Sequence, residues 1–305
     1  MRFVDLFSGI GAFHVGAKRV DATAECVLAC DICPRARGVY EQNFGVRPEK
    51  DVRDLASLPE HDILCAGFPC QSFSAIGREK GLDDPRCGTL IWETLRLAEL
   101  ARPNCILLEN VRRLVTLNGG AVLRAILDRL TAIGYTARCK VLNAMDYGLP
   151  QRRERLFIVA FRCEGATERF EWPAALELVP LEALLDPVVD KRYYASDRVR
   201  RLTYTRRGPR ADDAKNRVWI TDKGNRVSHR PYALTLRSDP SHNNMLVDGE
   251  RRFTEREMLR LQGFPDDFRL DGIGYTGVRA LVGNSVPVPV VAAVIASVLS
   301  ALSTV

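Results

Sequence analysis

A chain of 305 residues, 46% hydrophobic and 27% charged, can bury one large core with a smaller companion and has an ordinary globular composition. No run of about 18 uninterrupted apolar residues occurs, which argues against a membrane span, and Asp5 breaks the apolar start too early for a signal peptide. The net charge is +6, but residues 198–237 alone hold twelve Lys/Arg against three Asp/Glu, leaving about −3 for the rest. Charge concentrated this way is either the footprint of a polyanionic partner or a solvated basic face. Nine cysteines, an odd number scattered through strands and loops, fit reduced cytoplasmic thiols better than a disulfide framework. Cys26, Cys30 and Cys33 lie close together without a second ligand pair, so no metal site is expected.

The first strand covers residues 3–7, and Ser8-Gly9-Ile10-Gly11 is a tight turn into a helix over 12–19. Strand, glycine turn and helix open either a nucleotide-binding α/β unit or a plain βα connection. His14 occupies the third glycine position of the dinucleotide pattern, so the turn suits an adenosine ligand in general rather than a nicotinamide. Residues 25–30 form a second strand ending in Asp31, where a carboxylate can accept ribose hydroxyls. A helix with Pro34 in its first turn follows, and a third strand is expected before Asp51.

Residues 62–66 read as a buried strand, after which the chain turns through Pro69 and presents Cys70 beyond the strand's carboxyl end. That edge is where open α/β sheets place their chemistry. Cys65 within the strand reads as an inert core thiol. Cys70 on the loop is either idle or a nucleophile, if its pKa is lowered. Residues 73–86 carry glycines and charges without periodicity and read as a mobile loop. A helix over 89–101 leads to a strand at 105–108, which sets Glu109 on the same sheet edge as Cys70. A helix over 120–133 and strands over 135–142 and 156–161 complete the sheet.

Beyond Trp172 periodicity fades, and residues up to about 249 read as a loop-rich segment with aromatics among arginines. A helix over 254–263 carries a capping box, Thr254 with Glu257, and an apolar helix over 290–302 closes the chain.

Six blocks, in order, give the chain its resemblance. They are Asp5-Leu6-Phe7-Ser8-Gly9-Ile10-Gly11, Gly67-Phe68-Pro69-Cys70-Gln71-Ser72-Phe73-Ser74 and Glu109-Asn110-Val111 in the first half. Gln151-Arg152-Arg153-Glu154-Arg155, Arg260-Leu261-Gln262-Gly263-Phe264-Pro265 and Gly283-Asn284-Ser285-Val286-Pro287 follow. The sequence resembles the bacterial cytosine-C5 DNA methyltransferases over most of its length outside about residues 162–252. Two positions depart from that pattern: Ala12 stands where the family has a further glycine, and Asp31 where it has a glutamate.

The resemblance implies an α/β fold: a Rossmann-like, mostly parallel doubly wound sheet plus a smaller target-recognition domain. The expected division is 1–183 with 278–305 for catalysis and cofactor, and 184–277 for recognition. It implies S-adenosylmethionine as methyl donor, double-stranded DNA as substrate, a monomer, and a cognate restriction endonuclease acting on the same sequence. By the same resemblance Cys70 is the nucleophile, Glu109 contacts the base at N3 and its amine, and Arg155 binds O2 with Arg153 as its support. Phe7 would stack on adenine, Gly9 and Gly11 leave room for the methionine part, Asp31 takes the ribose and Asp51 the adenine amine. Ile32, Val52, Pro69, Leu90, Asn284, Ser285 and Val286 complete the expected donor pocket. Ser72, Ser74, Arg206, Arg207, Thr235, Leu236 and Arg237 are the expected DNA contacts, Arg237 reading a guanine or holding a phosphate. One branch of the family methylates a tRNA cytosine; the basic variable segment favours DNA. A non-catalytic relative is disfavoured by the intact Cys70, Glu109 and Arg155.

Overall fold

The computed structural model describes residues 1–69, 89–207, 217–222, 224–239 and 245–303. Cys70, Ser72, Ser74 and the segment 73–86 therefore lie outside the described residues. Contacts divide the chain into two compact units, residues 1–143, 154–174 and 290–305 in one, and 144–153 and 175–289 in the other.

The first unit is built on a six-stranded sheet in the order β2-β1-β3-β4-β7-β5. Its strands are β1 (Arg2–Leu6), β2 (Glu25–Cys30), β3 (Ile63–Ala66), β4 (Cys105–Val111), β5 (Thr136–Asn143) and β7 (Glu154–Phe161). β1, β2, β3 and β4 run parallel, and β7 lies antiparallel between β4 and β5. All four residues of β3 are buried, as a continuous apolar run in a central parallel strand requires. Leu64, Ile106 and Leu108 of the sheet share a core cluster with Leu95 and Ile126, which come from helices Thr89–Ala101 and Ala121–Ala132. The apolar helix Val288–Leu302 packs at Gly16, where a Cβ would come within 2.5 Å of Val291 Cγ1. The strand expected before Asp51 is reduced to a single bridge, Cys30 to Glu49, followed by a 3-10 turn over Val52–Asp54.

The second unit holds more regular structure than the sequence suggests. Helix Asp197–Arg207 stands where loop was expected, and β8 (Val218–Thr221), β9 (Val227–Arg230) and β11 (Met245–Val247) form an antiparallel sheet. Two short strands, β6 (Gln151–Arg152) and β10 (Ala233–Leu234), pair in parallel, which assigns residues 144–153 to this unit. The capping box of helix Glu255–Leu261 forms as expected. Its Glu257 is fully buried and accepts both Nη1 and Nη2 of Arg251 at 2.8 Å. Helix Tyr275–Asn284, which the sequence reading missed, runs into the Gly283-Asn284 block. By length and apolarity Tyr275–Leu302 could cross a membrane, but the backbone leaves the helical region at Ser285 and over half of its most apolar window is buried.

Candidate active site

β1 ends at Leu6, and Phe7 follows with φ +55°, a left-handed conformation uncommon outside glycine. Gly9 (φ +54°) and Gly11 (φ +89°) continue the turn. A side chain at Gly11 would strike the Phe44 ring at 2.2 Å, so the turn lies flush against helix Pro34–Phe44. Ala12, at the expected third glycine, is buried as the first residue of helix Ala12–Val20.

Beside this turn lies a cavity of about 220 Å³, all of it in the first unit. Phe7, Asp31, Ile32, Asp51, Val52, Pro69 and Leu90 line it, seven residues the sequence had marked for the donor. Cys30, Lys50 and Arg53 line it as well and were not foreseen. Asp31 is held by two backbone donors, Gly9 N–H to Oδ2 at 2.8 Å and Cys33 N–H to Oδ1 at 2.7 Å. Each carboxylate oxygen retains a free lone pair for a ribose hydroxyl. Burial raises the pKa of Asp31, and these two hydrogen bonds act against the rise. Asp51 accepts Arg53 Nε at 2.9 Å and Arg53 Nη2 at 2.5 Å, and that bonding lowers its pKa. Burial lifts the Cys30 thiol to about 12 and the Cys65 thiol well above its ordinary range, so both are poor nucleophiles.

The antiparallel return of β7 supplies the next feature. Val111 on β4 lies opposite Arg155 on β7, and side chains two apart on a strand share a face, so Glu109 is the diagonal neighbour of Arg155. Arg155 Nε reaches Glu109 Oε1 at 3.0 Å, with both side chains about nine-tenths buried. Between them in sequence, Asn110 donates Nδ2 to Phe68 O at 2.9 Å and accepts Val111 N–H at 2.8 Å. The strand that carries the acid thus also fastens the segment that leads through Pro69 to Cys70.

Arg153, expected as the support of Arg155, has a set of bonds of its own in the second unit. It belongs to the second unit, 1% exposed, and its guanidinium donates to Leu236 O, Gly283 O and Ser285 O at 2.7, 2.9 and 2.6 Å. Ser285 and Val286 are buried and Asn284 is exposed, all in the second unit. Leu236, grouped by sequence with the DNA contacts, is 1% exposed and uses both backbone groups internally. Arg237 beside it is exposed, while Thr235 donates its hydroxyl to Arg152 O at 2.8 Å. Arg206 and Arg207 end helix Asp197–Arg207.

The family model described as C-5 cytosine-specific DNA methylase matches residues 1–300. The chain belongs to this family. The methylase is 42% identical to the type II methyltransferase M.NgoBI of Neisseria gonorrhoeae, over 95% of this chain and 90% of the relative. It is 39% identical to M.HaeII of Haemophilus aegyptius, over 98% and 93%. Among solved structures, the S. pombe Dnmt2 methyltransferase superposes with a TM-score of 0.74 at 22% identity, over 99% of both chains, a likeness of fold. The methylase is therefore a DNA cytosine-5 methyltransferase, and its family and fold imply S-adenosylmethionine as donor. The cavity fits that donor: it offers a ring at Phe7, an oriented carboxylate at Asp31, a second at Asp51 and an apolar wall at Val52 and Leu90. The one cavity feature with a sequence signal that could have been read is Arg53, two residues after Asp51, the spacing of a local carboxylate–arginine turn.

Proposed function

We propose that the methylase transfers a methyl group to C5 of a cytosine flipped out of a specific double-stranded DNA sequence, through a covalent bond between Cys70 Sγ and C6. The observation that carries this reading is the Glu109–Arg155 pair, joined through Asn110 to the backbone two residues before Cys70. A cytosine within a duplex is out of reach of such a site, so the base must leave the stack.

Cytosine C5 is a poor nucleophile until C6 is attacked. Cys70 as thiolate adds to C6, and the electron pair of the C5–C6 bond becomes available at C5. Glu109 delivers a proton at N3, which neutralises the charge arriving on the ring, and Arg155 holds O2. S-adenosylmethionine, which Phe7, Asp31 and Asp51 would hold, would supply an electrophilic methyl group: the C5 electron pair takes the methyl, and the electrons of the broken carbon–sulfur bond stay on sulfur as a neutral thioether. Loss of the C5 proton to water then restores the C5–C6 double bond and releases Cys70 as thiolate, and the N3 proton returns to Glu109. The second unit, with the basic residues of 198–237, takes the DNA backbone and reads the sequence. The reading also gives a monomeric cytoplasmic enzyme on the chromosome, with a cognate endonuclease cutting the same sequence; its relatives are named type II methyltransferases.

A duplex carrying 5-fluorocytosine at the target tests the covalent step, because fluorine at C5 cannot leave as a proton does. A stable protein–DNA adduct is expected with donor present and none with Cys70→Ser. Equal trapping by the serine variant would remove Cys70 from the mechanism. Bisulfite sequencing of DNA from cells expressing the protein identifies the target sequence.

A further inference from the structure

Arg153 sits in the block Gln151-Arg152-Arg153-Glu154-Arg155, two residues before the arginine paired with Glu109, and three of its bonds reach distant segments. A buried guanidinium costs several kcal/mol unless its donors are satisfied. Here three carbonyl oxygens from distant segments, Leu236, Gly283 and Ser285, accept its two terminal nitrogens, Nη1 and Nη2. The rigid planar fork of arginine can bind three fixed points at once, which a flexible ammonium does poorly.

The segment it grips is bound at every step. Ala233 and Leu234 pair with Gln151 and Arg152 in the β6–β10 ladder. Thr235 donates to Arg152 O. Leu236 N–H donates to Oε1 of Gln151 at 2.9 Å, and Gln151, fully buried, anchors itself through Nε2 to Leu261 O at 2.7 Å. Immediately after these tied residues comes the exposed Arg237. A second, independent feature acts on the same point. A Cβ at Gly283 would lie 2.3 Å from the backbone carbon of Arg237 and 2.4 Å from the nitrogen of Ser238, so the segment runs directly over that glycine. Gly283 is not among the residues of positive φ, so glycine is needed there for space alone.

We propose that Arg153 and Gly283 are positioning residues for DNA sequence choice: they fix the backbone at residues 235–238 and so set where Arg237 meets the duplex, without touching DNA themselves. This rests on the reading that the second unit selects the sequence. It also separates the two arginines of one short block, Arg155 serving the chemistry and Arg153 the selection.

The test uses the full-length protein, Arg153→Lys and Gly283→Ala. For each, kcat and KM are measured on the target duplex found by bisulfite sequencing and on duplexes carrying single base-pair changes within it. The expected result is that discrimination, the ratio of kcat/KM on target to that on the best single-change duplex, falls at least tenfold in both variants. The loss on target should come mainly through KM for DNA. A loss of kcat that is equal on every duplex, with discrimination unchanged, would place Arg153 in the chemistry and overturn the proposal. Unchanged discrimination in Gly283→Ala would overturn it equally, and this variant carries the test should Arg153→Lys fail to fold. The outcome is separable from that of the function itself: a wild-type protein that leaves DNA cytosine unmethylated refutes the functional reading before any variant is compared.

Discussion

Acid should destabilise the first unit through one histidine behind the donor turn. His14 lies in helix Ala12–Val20, 4% exposed, with its ring stacked on Phe44 at 3.9 Å and 10° between planes. Its Nδ1 meets the Tyr40 hydroxyl at 2.9 Å. Burial, and then the charge of Lys18, lower its pKa from 6.5 to about 4. In the unfolded chain the imidazole takes a proton near 6.5, while the native protein resists until about 4. Between those values the unfolded state binds more protons, so stability rises with pH and is lost as pH falls from about 6.5 to about 4. Each unit of pKa corresponds to about 1.4 kcal/mol, so this histidine alone contributes a loss of about 3 kcal/mol across the window. Asp5 and Asp31, whose pKa values burial raises, titrate with the opposite sign. The comparison is therefore between two proteins rather than two pH values. Urea unfolding of the wild type and His14→Phe, which keeps a ring against Phe44, should be followed at half-unit steps from pH 7.5 to 4. The wild type should lose about 3 kcal/mol more than the variant. Parallel stability curves would refute the assignment of a neutral buried His14.

Three further outcomes follow from the geometry. Asp31→Ala should weaken donor binding by about 1–3 kcal/mol, the cost of leaving ribose hydroxyls unpaired. Calorimetry without DNA reads it, and unchanged affinity would mean the shorter carboxylate falls short. In Asn110→Ala the Phe68 carbonyl loses its buried donor, so the rate of adduct formation on 5-fluorocytosine DNA should fall at least tenfold while donor affinity changes less. An unaltered rate would make that bond irrelevant to placing Cys70. Replacing Arg206 or Arg207 with alanine should weaken binding to all duplex sequences alike and reduce the log–log salt slope by about one. A slope that stays put would assign these side chains to solvent.

The elements that organise the first unit were legible because their signals are local. The glycine turn after β1, the apolar run of β3 and the carboxyl edge at Glu109 follow from strand periodicity and turn chemistry, and in the second unit the Thr254–Glu257 cap follows from a four-residue pattern. Helix Asp197–Arg207 was hidden because its arginines leave no apolar stripe: Val199, Leu202 and Tyr204 are all exposed, and Thr203 alone among its described side chains is buried. Glycines within helix Tyr275–Asn284 and just before it concealed that helix. β6 and β10 have two residues each, too few for any periodicity, and exist only because they meet. The role of Arg153 depends on partners more than eighty residues away, which spacing within its own block cannot reveal. The resemblance supplied the cavity residues of the turn and strand ends, whereas Lys50 and Arg53 became visible only with the cavity itself.

The packing of helix Val288–Leu302 at Gly16, with Ala301 O also taking Nε and Nη2 of Arg169, bears on how the molecule is made. The sheet of the first unit and the helix that carries Gly16 are synthesised early, but the helix that packs at Gly16 is complete only after residues 175–289 have been made. At cellular elongation rates that delay is on the order of ten seconds. Throughout it, the nascent chain carries an uncovered apolar surface while the second unit is free to fold on its own. Chaperone dependence during translation should therefore concentrate on this interval. Variants that weaken the Gly16–Val291 contact should lower the yield of soluble enzyme more than they lower the specific activity of the enzyme that is recovered.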